Sequence, residues 1–430
     1  MIEHISPARG IHGVISVPGD KSISHRYAML AGIAAGDTPI YNYSTGADCQ
    51  STLSCLESLG VRHEFREEEG RRVLNIHGVG TRGLKEARLV LDAGNSGSTI
   101  RMLSGILAAQ PFRTEMTGDA SLVKRPMRRI ISPLTQMGAR LEAVDEQFPP
   151  LIIHGGPLRA IDYSPPVASA QVKSCILLAG LYAEGETVVR EPLTTRDHTE
   201  IALRELGAEV AIQPRAVRIR GGAQLTAKPL VVPGDLSAAA FFLVAASVVK
   251  EADLTITNVG LNPTRTALLD VLRGMGAAIK PLHVEEVNGE LIGTLQVKAA
   301  RIKGGIIEGA TTAAVIDEIP ILAVLGAISQ DGLIIRDAAE LRVKETDRIA
   351  TIAENLRHMG VTVNTTPDSI EIPGRQRFHA AALRSHGDHR IAMAFSIAAL
   401  VADGESSVEE AEAASVSFPE FYGTLRQVSQ

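Results

Sequence analysis

Apolar positions along the chain recur in a pattern that ends at glycine. Five times a helical run closes as Leu-x-x-Leu-Gly or Leu-x-x-Met-Gly, and an alternating apolar and polar segment follows. The glycines that end these runs are spaced 78, 69, 69 and 84 residues apart, and the runs are 56–60, 134–138, 203–207, 272–276 and 356–360. Apolar residues three apart share one helix face, and glycine can adopt the left-handed conformation that ends a helix. The pattern predicts repeated helix–glycine–strand units.

A sixth helix, predicted at 421–428, would complete six units of about 70 residues each. A longer repeat supports this division, because Val-Pro-Gly-Asp at 17–20 recurs at 232–235, half the chain length later. Alternation at 61–65 and 208–212 predicts half-buried strands after two of the glycines. The sequence therefore predicts two related α/β domains of three units each. The alternative is chance recurrence of helix–glycine–strand, which is common in α/β proteins.

Composition limits the classes of ligand. The 430 residues include 43 Lys and Arg against 49 Asp and Glu, so the formal net charge is −6, which excludes a globally basic nucleic-acid binder. Aromatic residues make up 3% with no Trp, which disfavours stacking platforms for single-stranded nucleic acid. An apolar fraction of 45% is ordinary for a folded globular chain. Any anionic ligand must be held by a local cluster of cations.

Cysteine usage and apolar runs predict a cytoplasmic protein. Cys49, Cys55 and Cys175 are too few and too irregularly spaced for a disulfide framework or a zinc site, which favours free thiols in a reducing compartment. The first residues lack the basic and apolar regions of a secretory signal. The longest apolar stretch, 236–249, is 14 residues long, so we expect a buried helix and no membrane span.

Polar segments open several of the predicted helices. Pro-Gly-Asp-Lys-Ser-Ile-Ser-His-Arg at 18–26 and Gly-Asn-Ser-Gly-Ser-Thr-Ile-Arg at 94–101 each lead into an apolar run. Free N–H groups, the positive helix end and nearby cations suit a phosphate or carboxylate there. The segment at 18–26 is not a Walker A loop, because the Gly-Lys pair and its upstream glycine are missing. The alternative at each position is an ordinary capped helix or turn.

Further polar segments follow in both halves. Segment 118–126 has an arginine directly before Pro126, and we expect this proline to start a helix. Segment 169–174 opens an apolar helix, and segment 195–200 precedes another helix. In the second half, Asp317 and Glu318 precede the apolar run 319–328, while 342–348 alternates in charge and could be a salt-bridged helix surface. Histidine spacing predicts no metal site.

Taken together, the cations in these segments are more informative about the ligand than any single motif. Two small phosphorylated substrates, one of them also a carboxylate, would carry about five or six negative charges. We expect such ligands to bind in a cleft between the two domains. Seven cations of the polar segments could meet that charge: Lys21, Arg26, Arg125, Arg196, Lys344, Arg348 and Arg390.

Together, the segments at 18–26, 94–101, 118–127, 169–174, 195–200, 342–348 and 387–393 resemble the 5-enolpyruvylshikimate-3-phosphate synthase family, in its bacterial class II branch. The resemblance covers about residues 18–419. It implies an α/β fold of the enolpyruvyl transferase type, with two similar domains of three βαβαββ units each. The implied domains are 1–17 with 234–430, and 18–233, with the active site in the cleft between them.

The resemblance also implies the reaction and its residues. The 5-hydroxyl of shikimate 3-phosphate adds to C2 of phosphoenolpyruvate, C3 is protonated, and the tetrahedral intermediate expels phosphate. Expected shikimate 3-phosphate ligands are Lys21, Ser22, Arg26, Ser169, Ala170, Gln171, Arg196, Asp317 and Lys344. Expected phosphoenolpyruvate ligands are Lys21, Gly97, Arg125, Gln171, Arg348 and Arg390.

Three residues have expected proton-transfer roles. Asp317 would be the general base for the hydroxyl, and Glu345 would deliver the C3 proton with help from Lys21. No metal or organic cofactor, nucleic acid or membrane is expected, and the absence of a recognisable interface sequence favours a monomer.

The chain departs from some family members at two positions. Some members have a lysine just before the Phe-Pro motif, but no lysine stands near Val416, just before Phe418-Pro419. Some members also have an asparagine at the position of Glu340. Two alternatives remain open at this point. One is the sister enolpyruvyl transferase that uses UDP-N-acetylglucosamine, although no reactive cysteine lies in 118–126. The other is a non-catalytic anion-binding protein built on the same scaffold.

Overall fold

The computed structural model describes residues 1–429, along which helices and strands alternate from end to end. The α-helices, in chain order, are α1 Lys21–Gly32, α2 Ala47–Ser58, α3 Gly97–Leu107, α4 Arg128–Gln136, α5 Ala170–Gly180, α6 His198–Glu205, α7 Leu236–Val248, α8 Ala267–Gly274, α9 Ala310–Ala314, α10 Ile319–Ile328, α11 Arg348–His358, α12 His389–Ala399 and α13 Phe421–Val428. Short 3₁₀ helices span Leu122–Lys124, Ala339–Val343 and Ala411–Val416.

The strands are short and evenly distributed. In chain order they are β1 Ile2–Ile5, β2 Gly10–Ser16, β3 Ala35–Tyr41, β4 Arg62–Glu68, β5 Arg71–Val79, β6 Leu91–Asp92, β7 Arg113–Thr117, β8 Arg140–Val144, β9 Phe148–His154, β10 Asp162–Tyr163, β11 Glu186–Arg190, β12 Val210–Gln213, β13 Ala216–Arg220, β14 Leu230–Val231, β15 Glu251–Gly260, β16 Ala278–Val287, β17 Glu290–Lys298, β18 Gly305–Ile307, β19 Leu333–Ile335, β20 Asn364–Thr365, β21 Ile370–Ile372, β22 Ala382–Arg384 and β23 Ser406–Glu409.

The strands form six small sheets in residues 1–429, which confirms the predicted sixfold repeat. Five sheets have four strands, in the orders β14-β3-β5-β4, β6-β7-β9-β8, β10-β11-β13-β12, β16-β17-β15-β2 and β18-β19-β21-β20. The sixth has the order β1-β23-β22. A parallel pair followed by an antiparallel neighbour recurs, as in β6 with β7 and then β9. In the sixth sheet, β22 is parallel to β23 and the N-terminal strand β1 is the antiparallel neighbour.

The chain divides into two compact units. The first unit comprises Met1–Pro18, Gly234–Glu285 and Leu291–Gln430, and the second comprises Gly19–Pro233 with Glu286–Glu290. This grouping differs from the expected boundaries at two places. Pro18 belongs to the first unit instead of the second, and the short segment 286–290 belongs to the second unit instead of the first. Each unit has a hydrophobic core of its own.

Three apolar helices lie at the centre of each core. In the second unit they are α1, α3 and α5, and in the first unit they are α7, α10 and α12. All three of the first unit's central helices are buried along nearly their entire length. A helix that is apolar on all sides is stable only inside a core. The predicted helices at 236–249, 319–328 and 421–428 are confirmed, the first one residue shorter than expected.

The five repeated glycines end helices as the sequence predicts. Each follows the last residues of α2, α4, α6, α8 or α11 and has a positive φ, between +79° and +104°. Of the two predicted strands, 61–65 corresponds to β4, whereas β12 begins at Val210 and is mostly exposed. None of the helices in the described chain is long and apolar enough to cross a membrane.

The glycine at the end of α6 gives the first testable prediction. Gly207 has φ +99° and an added Cβ would meet no atom within 4 Å, so replacement by alanine incurs conformational strain without a steric clash. We expect Gly207→Ala to lower the free energy of unfolding by about 1–2 kcal/mol. Urea unfolding monitored by circular dichroism would measure it.

The matched control is Gly274→Ala, at the last residue of α8. An added Cβ there also meets nothing within 4 Å, but the backbone is not in the left-handed region. Alanine is favoured over glycine in a helix by about 0.5–1 kcal/mol, so this variant should be as stable as wild type or more so. Equal losses in both variants would contradict the conformational explanation.

Candidate active site

The predicted ligands of the second unit lie at or near the N-termini of its central helices. At α1 the Asp20 carboxylate accepts a hydrogen bond from the Ile23 amide at 2.9 Å and caps the helix. The next residue, Lys21, places its Nζ 2.9 Å from Oδ2 of Asp48. Both side chains of this ion pair are largely buried. The first turn of α1 therefore presents a positioned ammonium group at the positive end of the helix.

Arg26, one turn further along α1, is buried among hydroxyl groups. Its Nε donates to Oγ1 of Thr199 at 2.6 Å, and its terminal nitrogens donate to Oγ of Ser174 at 2.8 Å and to the Ser22 carbonyl at 2.8 Å. Burial lowers the pKa of Arg26 to about 10, although the Glu200 carboxylate opposes this shift. The guanidinium stays charged at neutral pH and connects α1 with α5 and α6.

A second series of buried, hydrogen-bonded side chains joins α1 to α2 and α3. The Nδ1 atom of His25 lies 2.7 Å from Oγ1 of Thr52, which lies 2.7 Å from Oγ1 of Thr99. Burial, together with the charges of Lys21 and Arg26, holds the pKa of His25 well below its usual value. This imidazole is therefore neutral at pH 7 and serves as a spacer between the helices.

The starts of α3 and α5 share a polar contact. Gln171 donates from Nε2 to Oγ of Ser98 at 3.0 Å and accepts at Oε1 from Arg101 at 2.8 Å. An added Cβ on Gly97 would lie 2.7 Å from a terminal nitrogen of Arg101, so glycine leaves the room that this side chain occupies. Arg101 thus lies beside two predicted phosphoenolpyruvate ligands, although the sequence analysis assigned it no role.

Arg125 is positioned by the loop before α3. One terminal nitrogen donates to Oδ1 of Asn95 at 2.8 Å and to Oγ of Ser121 at 3.1 Å. Asn95 in turn donates to Asp119 at 2.7 Å. The expectation that Pro126 starts a helix is wrong, because α4 begins at Arg128 with Met127 as its N-cap. The extended backbone of Arg125, which the position before a proline favours, ends the preceding 3₁₀ helix at Lys124.

The remaining ligands of the second unit lie around the starts of α5 and α6. Ser169 caps α5 by accepting from the Val172 amide at 3.4 Å, and the Ala170 carbonyl accepts from the Ser174 hydroxyl at 2.7 Å. Arg196 donates to Oγ of Ser22 at 3.4 Å, which brings the loop before α6 to the first turn of α1.

A buried ion cluster supports this loop. The ammonium group of Lys173 lies 3.0 Å from Glu191 and 2.7 Å from Glu200, and it donates to the Thr195 carbonyl at 3.3 Å. All three charged side chains are at most 5% exposed. Burial raises the pKa of Glu200, while Lys173 acts in the opposite direction. This cluster joins α5 to the segment that carries Arg196.

In the first unit, Arg348 is the centre of the predicted site. Its Nε lies 2.8 Å from Oδ2 of Asp388, and a terminal nitrogen lies 2.6 Å from Oε2 of Glu345. Burial lowers the pKa of Arg348, but Asp388 and Glu345 more than offset it, and the net shift is upwards. Burial acts to raise the pKa of Asp388, but the charge of Arg348 prevails and lowers it. Both groups are therefore charged.

Asp317 lies on the other side of Arg348. Its Oδ1 is 3.3 Å from Nζ of Lys344 and 3.7 Å from a terminal nitrogen of Arg348. The segment 342–348 is not the continuous helix surface considered as an alternative, because a 3₁₀ helix ends at Val343 and α11 begins at Arg348. The intervening turn brings Lys344 and Glu345 to Asp317 and Arg348.

Arg390 completes the first unit's set at the start of α12. Asp388 caps this helix by accepting from the Arg390 amide at 2.9 Å, and the Arg390 guanidinium lies 3.8 Å from Glu318. The first unit thus gathers Asp317, Lys344, Glu345, Arg348 and Arg390. The second unit holds Lys21, Ser22, Arg26, Gly97, Arg125, Ser169, Ala170, Gln171 and Arg196.

Comparison with known proteins places the chain in a family. The family model of EPSP synthase (3-phosphoshikimate 1-carboxyvinyltransferase) matches residues 5–425. The chain belongs to the EPSP synthase family.

Relatives match over the full length. A protein of Solibacter usitatus named 3-phosphoshikimate 1-carboxyvinyltransferase is 61% identical over 430 residues and is covered completely, as is this chain. One of the same name from Koribacter versatilis is 52% identical, with 99% of this chain and 98% of that protein covered. A solved EPSP synthase from Acinetobacter baumannii is 41% identical, with a TM-score of 0.87 over 100% of this chain and 98% of the other. The predicted enolpyruvyl transferase fold is therefore confirmed.

Within the EPSP synthase family, both departures noted in the sequence fall in 3₁₀ helices. Glu340 lies in Ala339–Val343, just before Lys344, and Val416 ends Ala411–Val416. Residues that sequence reasoning missed include Arg101, Asp48 and Asp388. A usable signal existed for Arg101, since it stands four residues after Gly97 and so on the same face of α3. Among residues 1–429, no three His, Cys, Asp or Glu side chains are grouped as a metal site would require.

The Lys173 cluster gives a prediction about stability and pH. Lys173→Met removes the ammonium between two buried carboxylates, and we expect the free energy of unfolding to fall by about 3–5 kcal/mol near pH 8. Because burial raises the pKa of Glu200 in the folded state, protonation favours folding. The loss should shrink as the pH is lowered towards 5, because Glu200, whose pKa is raised, can take up a proton. Urea unfolding across this range would measure the trend.

The control is the double variant Lys173→Met/Glu200→Gln, which removes one charge of each sign. Its stability should exceed that of Lys173→Met at pH 8 and depend less on pH. A Lys173→Met deficit that is the same at pH 5 and pH 8 would contradict the assignment.

Proposed function

We propose that this chain transfers the enolpyruvyl group of phosphoenolpyruvate to the 5-hydroxyl of shikimate 3-phosphate and releases phosphate, a step of the shikimate pathway towards aromatic amino acids. The observation that carries the proposal is the 61% identity, over the full length of both chains, to a protein named for this activity. The distribution of charge supports it, because the site cations suit substrates with several negative charges.

The second unit supplies most of the proposed ligands for shikimate 3-phosphate. Ser22, Arg26 and Arg196 are connected by hydrogen bonds around the first turns of α1 and α6. Ser169, Ala170 and Gln171 add hydroxyl, backbone and amide groups at the start of α5. From the first unit, Asp317 and Lys344 would complete the set. Binding in a cleft between the two domains stays a prediction from the sequence.

Phosphoenolpyruvate would be held by cations from both units. Lys21, Arg125, Arg348 and Arg390 would bind its phosphate and carboxylate, while Gly97 and Gln171 line the position next to Arg101. Cations fixed before the reaction stabilise the charge that develops as phosphate leaves. The loss of one such contact reduces the turnover number by about 10²–10³.

Asp317 is the proposed general base for the 5-hydroxyl. Its carboxylate lies beside Lys344 and Arg348, so an anionic oxygen is available to accept the hydroxyl proton. The same oxygen would hold the hydroxyl in line with C2 of phosphoenolpyruvate. Proton uptake converts Asp317 to a neutral carboxyl group, which leaves the charges of Lys344 and Arg348 to stabilise the anionic substrates.

Glu345 is the proposed donor of the C3 proton, with Lys21 assisting. Its carboxylate forms an ion pair with Arg348 at 2.6 Å. Phosphoenolpyruvate is an anion that competes for the same guanidinium, so its binding would weaken the Glu345–Arg348 ion pair. Glu345 could then take up the proton that it delivers to C3. Substrate binding would in this way prepare the acid.

The proposal extends to a cytoplasmic monomer that needs no metal or organic cofactor. Cys49, Cys55 and Cys175 are buried, unpaired thiols, as suits a reducing compartment. Light scattering of the purified chain would measure the oligomeric state directly.

The test of function is phosphate release from phosphoenolpyruvate in buffer treated with a chelator. We expect release only when shikimate 3-phosphate is also present, at a rate that the chelator does not change. Release with UDP-N-acetylglucosamine in its place would identify the sister transferase. Tight binding of shikimate 3-phosphate without any release would identify a non-catalytic binding protein.

Replacement of Asp317 tests the proposed base. Asp317→Asn keeps the size of the side chain but removes the proton acceptor, so we expect turnover to fall about 10²–10⁴-fold while both substrates still bind. Steady-state kinetics and calorimetry would measure the two effects. The matched control is Asp331→Asn, an exposed aspartate of the same unit, which should turn over at the wild-type rate. Near-normal turnover of Asp317→Asn would remove it as the base.

A further inference from the structure

The second copy of Val-Pro-Gly-Asp, at 232–235, has no place in the proposed reaction. Asp235 caps α7 by accepting from the Ser237 amide at 2.8 Å, much as Asp20 caps α1. The cations of the first copy are missing, because Leu236 and Phe241 stand 215 residues after Lys21 and Arg26. Both are buried apolar side chains. This helix start therefore lacks the two cations that α1 contributes to the substrate site.

A carboxylate of the chain itself occupies the start of α7. The hydroxyl of Ser237, the counterpart of Ser22, donates to Oε1 of Glu318, and Arg265 donates to the same hydroxyl. Glu318 is only 3% exposed. Although Glu318 is the N-cap residue of α10, its side chain makes no capping hydrogen bond there. Its carboxylate is directed to α7 instead.

Glu318 also lies between two arginines. Its Oε1 is 3.7 Å from a terminal nitrogen of Arg265 and 3.8 Å from one of Arg390. Arg265 is in addition 3.9 Å from Asp235. All four charged residues are more than nine-tenths buried, and their charges sum to zero. In this group of two cations and two carboxylates, Glu318 contacts both guanidinium groups.

We propose that Glu318 is a positioning residue for phosphoenolpyruvate binding: an internal anion that holds Arg390 against the positive charge of Arg265. The inference rests on the proposed function, in which Arg390 is a phosphoenolpyruvate ligand. Asp388 accepts a hydrogen bond from the Arg390 amide, and Glu318 attracts the Arg390 guanidinium from 3.8 Å, so both ends of the residue have an anionic partner. Preorganisation of this kind lowers the cost of binding.

Removal of the Glu318 charge should weaken phosphoenolpyruvate binding selectively. Arg265 and Arg390 would then lose the carboxylate that contacts both of them, and the repulsion between their guanidinium groups would displace Arg390. We expect Glu318→Gln to raise the KM for phosphoenolpyruvate about tenfold, in the range of couplings between residues in contact. The KM for shikimate 3-phosphate should change less than threefold, because Arg390 is not among its proposed ligands.

A charge-compensating variant separates positioning from mere structural damage. In Glu318→Gln/Arg265→Gln, one charge of each sign is removed, so the repulsion on Arg390 disappears. The KM for phosphoenolpyruvate should return to within about threefold of wild type. A stability control is Leu272→Ala, which opens a cavity in the same core and should lower the melting temperature without altering the ratio of the two KM values.

Steady-state kinetics of phosphate release by the four full-length proteins decides the question. A selective rise in the KM for phosphoenolpyruvate that the double variant reverses supports the inference. Three outcomes would overturn the inference: an unchanged or lower KM for phosphoenolpyruvate, an equal rise in both KM values, or a double variant whose KM is no lower than that of Glu318→Gln. In each case, turnover by the wild-type protein would leave the proposed function intact. A wild-type protein without turnover would contradict the proposed function, and the role of Glu318 with it.

Discussion

Burial of apolar helices whose first N–H groups need polar partners is the constraint on which this structure depends. Each unit encloses three such helices, and the core fixes where their N-termini lie. The first N–H groups of a helix need partners even when the helix is buried. Side chains of Asp20, Ser96, Ser169, Asp235 and Asp388 meet part of that need. The same positive helix ends then suit anionic ligands, so core packing and substrate binding have a common origin.

Charge balance then determines which cations are rigid. Arg348 and Lys173 are almost fully buried, and each lies among carboxylates that compensate it. A buried charge without such partners would shift its protonation or move towards water. The protein as a whole is acidic, with a net charge of −6, yet its proposed site is rich in cations. Carboxylates next to the buried cations, and not the overall charge of the protein, stabilise those cations.

The sequence was sufficient to predict features that arise from local chemistry. The glycine-terminated helices, α13 and the sixfold repeat follow from apolar spacing and from the backbone freedom of glycine. Contacts between distant segments could not be predicted in this way. Lys173 looked like an ordinary helix residue, because its partner Glu191 comes from the next loop. Likewise, nothing near Arg101 in the sequence indicates Gln171, which is 70 residues away.

The pairing of the N-terminal strands has a consequence for biosynthesis. β2 pairs with β15, and β1 pairs with β23, with Ile2 opposite Glu409. At a translation rate of about 5–20 residues per second, β2 waits roughly 10–50 s for its partner, and β1 waits longer. Residues 19–233 are complete before either partner strand is made. β1, the first strand of the chain, is therefore among the last to pair, and its edges remain open while the ribosome makes almost the whole chain.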